Sequence, residues 1–238
     1  MPLRPETVER VWAMWHDPEL PLRAVSVMTI AGESFIAAPA AYRERLADVA
    51  PTVDAVIAAL GPDALERGPE ARLAYADADT LQLVPSNAVR IADDDPRHAP
   101  LEATSDPAEW QEASAADPAD ARYALFDDEA IIALATMGAW GGGVGSIGVF
   151  TAEPWRGRGL SGQVASPAVA AVIARGLVPQ WQSRIGLGAS ARVSEKLGFV
   201  PLGYRRIVRI RPPDGGGVEK IGAHERNRRQ AHRPPRPV

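Results

Sequence analysis

Residues 147 to 162, IGVFTAEPWRGRGLSG, constrain this chain more than any other stretch. A β-branched run ends at Thr151, a short turn follows, arginines alternate with glycines, and a helix begins. Glycine lets the backbone approach a ligand and adopt positive φ, while the first amides of a helix lack internal partners and carry the positive end of the helix dipole. Several N–H donors can therefore converge on a phosphate at residues 157 to 162. Arg156 and Arg158 can add positive charge or face solvent. No Gly-Lys-Ser/Thr follows, which excludes a P-loop, and the glycines do not space as G-x-G-x-x-G, which excludes the dinucleotide fingerprint. Read from its residues alone, the stretch is either an anion cradle or a tight strand-to-helix turn.

The elements around it alternate strand and helix. Val8, Val11, Trp12 and Trp15 fall at helical spacing behind Pro5. AVSVMTI (24 to 30) reads as a strand, AAYRERLADVA and TVDAVIAAL as two helices parted by Pro51, and residues 71 to 100 as short strand-like pieces mixed with turns. The acidic run Asp93, Asp94, Asp95 reads as a solvated turn. Asp106 and Pro107 suit the start of a short helix, DPAEWQEASA. RYALFDD, AIIALATM and VGSIGVFTA follow as strands, the second apolar on both faces as a buried central strand should be. Leu160, Val164, Ala168, Val172 and Ile173 mark a long helix, expected to bend at Pro167. LVPQWQS, a short helix closed by Gly198, and FVPLGYRRIVRI complete the pattern, and residues 212 to 238 read as a disordered tail. The division expected is an αβ lobe over residues 1 to 90, a second domain over 91 to 211, and the tail.

Composition removes whole classes of function. With no cysteine there is no disulfide, thiolate zinc site or cysteine nucleophile, and cytoplasm is the expected compartment. The 26 Lys+Arg stand against 30 Asp+Glu, without the cationic excess that sequence-independent binding to nucleic acid needs. No apolar run approaches a membrane span, and MPLRPETVER has no apolar core for a signal peptide, so a soluble, unprocessed chain without membrane or metal is expected. Small-molecule chemistry is what remains.

Arg156-Gly157-Arg158-Gly159-Leu160-Ser161 resembles the signature Q/R-x-x-G-x-G/A of the GNAT superfamily of acyl-CoA-dependent N-acetyltransferases, departing at Ser161, which is small and is followed by Gly162. GASARVSEKLGFVPLG (188 to 203) resembles that family's second helix, ending in Gly-Phe before a closing strand. The resemblance covers about residues 100 to 210, and the N-terminal region together with Gly176 to Trp181 looks like the branch with an extra N-terminal lobe. It implies an α/β fold with a mixed sheet that splays between the third strand and LVPQWQS. It also implies acetyl-CoA as cosubstrate and transfer of its acetyl group to a primary amine, small molecule or peptide, by direct attack. A non-catalytic acyl-CoA-binding module is the alternative. Carried over by position, Val149, Phe150 and Thr151 would offer backbone hydrogen bonds to the pantetheine and acetyl carbonyl. Gly157, Arg158, Gly159, Leu160, Ser161 and Gly162 would cradle the pyrophosphate. Pro179 would lie in a strand facing the split.

Direct transfer needs a positioned nucleophile, a route for its proton, donors for the oxyanion and an acid for the leaving thiolate. Where many family members carry a tyrosine acid, this chain has Ser194, and a frequent asparagine earlier in that segment is replaced by Leu187. Glu112, on the helix expected to border the acceptor, is the candidate base, whereas Glu153 sits where it would repel the cofactor. One of Trp110, Trp140, Trp155 and Trp181 is expected to contact substrate. The sequence does not fix an oligomeric state.

Overall fold

The computed structural model describes residues 1–20, 22–186 and 188–211; the expected tail and Leu187 lie outside the described residues. The chain runs α1 (Pro5–His16), β1 (Val25–Ile30), β2 (Glu33–Ala37), α2 (Ala40–Leu46), α3 (Val53–Leu60), β3 (Ala64–Tyr75), β4 (Val89–Ile91), α4 (His98–Ala103) and α5 (Pro107–Glu112). It continues through β5 (Ala121–Asp127), β6 (Ala130–Trp140), β7 (Val144–Thr151), α6 (Leu160–Ala174), β8 (Val178–Arg184), α7 (Gly188–Lys196) and β9 (Val200–Ile210). Local chemistry sets the helix starts. Pro5 occupies the first turn of α1, the Thr52 hydroxyl accepts from Ala55 N, and the Asp106 carboxylate accepts from Ala108 N and Glu109 N ahead of Pro107.

Among the described residues nine strands form one mixed sheet, in the order β2-β1-β9-β3-β8-β7-β6-β5-β4. Every neighbouring pair is antiparallel except β7 and β8. The first half of β3, from Ala64 to Glu70, is strand that the sequence reading missed, since its strand-like pieces begin only at Ala71. β3 carries Gly68 and Pro69 in mid-strand, where the ladder with β9 slips register between Arg67 and Glu70, and it lies between β9 and β8. β8 is therefore an interior strand, flanked by β3 and β7.

The sheet is buried on both faces. On one, Val164, Ala168 and Val172 of α6 pack with Ile147, Trp181 and Phe199. On the other, α1 sets Val11, Met14 and Trp15 on Met28, Leu73 and Tyr75, and α5 sets Trp110 on Leu134 and Phe150. α2 and α3 cover Val25, Val27 and Val208. The α6 helix runs through Pro167 without interruption, and the Ser166 hydroxyl, one residue earlier, donates to the Gly162 carbonyl at 2.8 Å. The acidic run is more than a solvated turn. Asp93 accepts from Arg122 at 2.7 Å, and Arg97 holds the Asp95 carboxyl down at a pKa of about 2. Among the described residues no helix is long and apolar enough to cross a membrane.

Candidate functional site

β7 and β8 pair in parallel only from Val144/Val178 to Ile147/Trp181. Beyond that, among the described residues, Gly148 to Thr151 pair only with β6, and Gln182 to Arg184 only with β3. The sheet thus opens along the stretch that holds Val149, Phe150 and Thr151. Pro179 is opposite Gly145 in the closed part of the pair, so the expectation that it faces the split is corrected. Its missing N–H is tolerated there, and its carbonyl accepts from Ala76 N.

Directly past the opening the chain turns into α6. Gly157 has φ +78° and Gly159 φ +79°, and Gly159 is the residue before the helix. A Cβ on either would meet nothing within 4 Å, so glycine is used here for its backbone and leaves open space above. Among the described residues, the N–H groups of Gly157, Arg158, Gly159, Leu160 and Ser161 meet no carbonyl; the ladder of α6 starts with Gly162 N and Gln163 N on Gly159 O. The Ser161 hydroxyl lies 3.0 Å from that of Thr151, tying the helix start to the end of β7.

The arginines hold the turn from its flanks. Arg156 reaches the Thr151 carbonyl at 3.1 Å and forks onto Glu109 of α5, while Arg158 stacks 4.6 Å over the Trp155 ring and donates to Pro154 O. On the other side lies a segment that the sequence reading took as strand-like pieces mixed with turns and that forms no strand. Gln82 N donates to Leu197 O at 2.9 Å, Val84 N donates to Ser166 Oγ at 3.0 Å, and the Val84 side chain borders Gly162. Residues 82 to 84 thus strap the end of α7 to the first half of α6. Ser166 is buried and serves as the buckle, so Ser166→Ala is expected to cost about 1–2 kcal/mol and to raise amide exchange selectively at Val84, read by hydrogen–deuterium exchange.

Glu112 ends α5, and its carboxylate lies 3.3 Å from Arg184 Nε at the tip of β8. α5 rests on β7 through a close contact: a Cβ on Gly148 would be 2.0 Å from the Ala113 carbonyl oxygen. The ion pair therefore spans the opening from the β7 side to the β8 side. Ser194 is fully buried in α7, and its hydroxyl donates to Ala191 O at 2.8 Å. Its position three residues before the buried Leu197 was the available signal. Trp110 and Trp181 are core residues, Trp155 lies beneath Arg158, and Glu153 is exposed.

Such an arrangement offers a slot between two strands, a cluster of unused amides at a helix start, and a carboxylate at the slot's rim. Residues 122–203 match the family model of GNAT acetyltransferases. No curated protein matches the sequence. Among solved structures, a protein of Novosphingobium aromaticivorans assigned to the GNAT family of acetyltransferases is 20% identical, with TM-score 0.49 over 63% of this chain and 69% of its own. A GCN5-related N-acetyltransferase of Kribbella flavida is 18% identical, with TM-score 0.47 over 68% and 65%. A GCN5-related N-acetyltransferase-like protein of Streptococcus suis is 16% identical, with TM-score 0.47 over 87% and 99%.

Proposed function

We propose that this chain, whose residues 122–203 match the GNAT acetyltransferase model, is a member of that superfamily and transfers the acetyl group of acetyl-CoA to a primary amine by direct attack. The observation that carries this reading is the parting of β7 from β8 beyond Ile147/Trp181, directly ahead of the positive-φ turn that opens α6. The residues present fit the cosubstrate. The N–H groups of Gly157 to Ser161 point donors and the positive helix end at a pyrophosphate, and the β7 backbone from Gly148 to Thr151 lines the slot for the pantetheine arm. Acetyl-CoA supplies an activated thioester, whose thiol has a pKa near ~8.5 and leaves tolerably at neutral pH.

The chain's own work is then to orient and to move a proton. An alkyl amine arrives protonated, and Glu112 at the rim takes that proton before attack. Arg184 beside it, 3.3 Å away, fixes the carboxylate across the opening. The Ser194 hydroxyl is committed to Ala191 O, so in this reading water supplies the proton to the departing thiolate. That same commitment favours a second reading, an acyl-CoA-binding module without turnover.

Thiol release from acetyl-CoA, followed with a panel of primary amines, separates the two. Amine-dependent release supports transfer, and tight acetyl-CoA binding without release from any amine supports the binding module. Glu112→Gln is expected to lower kcat about tenfold with the KM for acetyl-CoA unchanged, the loss being greatest at low pH, where less amine is already free.

A further inference from the structure

β9 carries three arginines whose surroundings differ. Arg206 and Arg209 are on exposed positions, and each meets a carboxylate of β3, Glu70 and Glu66, at 2.6 Å. Arg205 points to the face opposite Arg206, the face of Met28 that α1 covers, and no carboxylate meets it among the described residues. Its Nε donates to the buried Ser26 hydroxyl at 3.0 Å, and its guanidinium carbon lies 5.5 Å from the Trp15 ring and 6.0 Å from the Trp140 ring. The two terminal nitrogens hold no hydrogen bond within the described residues, and neither is sealed from solvent. Burial pulls the group down to a pKa of about 10, and Tyr75 offsets only part of that. A cation in such a place ordinarily has an anion beside it.

The sheet register ties this guanidinium to the slot. Arg205 is opposite Ala71 of β3, and Ala71 is opposite Arg184 of β8, the partner of Glu112. Directly opposed residues share a face, so Arg205, Ala71 and Arg184 form one row across three strands, with the small Ala71 as a saddle between two long side chains. The row spans about 10 Å at the backbone, the width of two strand spacings.

Resting on the acetyl-transfer reading, we propose that the acceptor amine carries a carboxylate, and that Arg205, walled by Trp15 and Trp140, binds it while the amine lies toward Glu112. The planar fork of arginine matches a carboxylate through two parallel hydrogen bonds, and the indole rings accommodate the apolar part of the molecule.

The test compares amines that differ by one carboxylate: each common amino acid beside the amine left when its α-carboxylate is removed. With the full chain and saturating acetyl-CoA, at least one carboxylate-bearing member is expected to react with kcat/KM about 100-fold above its counterpart. Arg205→Gln should erase that preference by raising KM with kcat little changed, its melting temperature no lower than that of the unmodified protein because a buried unpaired charge has been removed. Arg205→Lys, which keeps charge and stem, remains readable should the glutamine variant not fold, and is expected to recover less than a tenth of the preference. A preference that survives both variants, or no carboxylate preference in any pair, overturns the proposal. Calorimetry of the same pairs without acetyl-CoA keeps it separable from the acetyl-transfer reading. Carboxylate-dependent binding lost in the Arg205 variants upholds the site even where no acetyl group moves, and binding indifferent to the carboxylate overturns it even where transfer is observed.

Discussion

Gly148→Ala is expected to lower the melting temperature by about 5–10 °C and to disable the site in the protein that remains folded. The added methyl would lie 2.0 Å from the Ala113 carbonyl oxygen and 2.6 Å from the Thr136 hydroxyl, distances no packed atoms tolerate. β7 is held at this point by its ladder with β6, so α5 has to yield. Lifting α5 draws Glu112 off Arg184, separates Trp110 from Phe150, 5.1 Å away between ring centres, and exposes part of that cluster. The overpacking amounts to about 2–3 kcal/mol. Thermal unfolding and amine-dependent thiol release on the same preparation check both halves, and a variant as stable as the parent would show that the α5–β7 contact is looser than described.

Gly159→Glu is expected to weaken acetyl-CoA binding by at least about 100-fold, roughly 2.7 kcal/mol, while leaving the fold cooperative. Two effects add. A residue with a Cβ pays about 1 kcal/mol at φ +79°, and a carboxylate at the helix start occupies the donors and repels a pyrophosphate. No clash arises within the protein, because the Cβ would project into the open space left for the pyrophosphate. Gly159→Ala therefore separates the terms: it should keep most of the affinity, and titration calorimetry of both variants reads the difference directly.

Much of this was legible in the sequence because it is local. The strand ending at Thr151, the glycine turn and the apolar stripe of α6 are encoded within thirty residues, and so are the starts of α1, α3 and α5. What escaped was set by partners far away in the chain. β3 carries Gly68 and Pro69, residue types disfavoured inside strands, and the register slip against β9 accommodates them. Once β3 is placed, β8 becomes interior, and Pro179 moves from the split to the closed part of the β7 ladder. The segment 82 to 84 has no periodicity at all, since its bonds go to Leu197 and Ser166. In YRRIVRI nothing distinguishes Arg205 from Arg206; only the sheet decides which of them meets a carboxylate.

Hydrogen–deuterium exchange of the full chain with and without acetyl-CoA tests the central claim most directly. Protection concentrated at residues 148 to 151 and 157 to 162 is the result the account predicts, because those amides line the slot and the helix start. Unchanged exchange there at saturating acetyl-CoA, or protection confined to other segments, would contradict it.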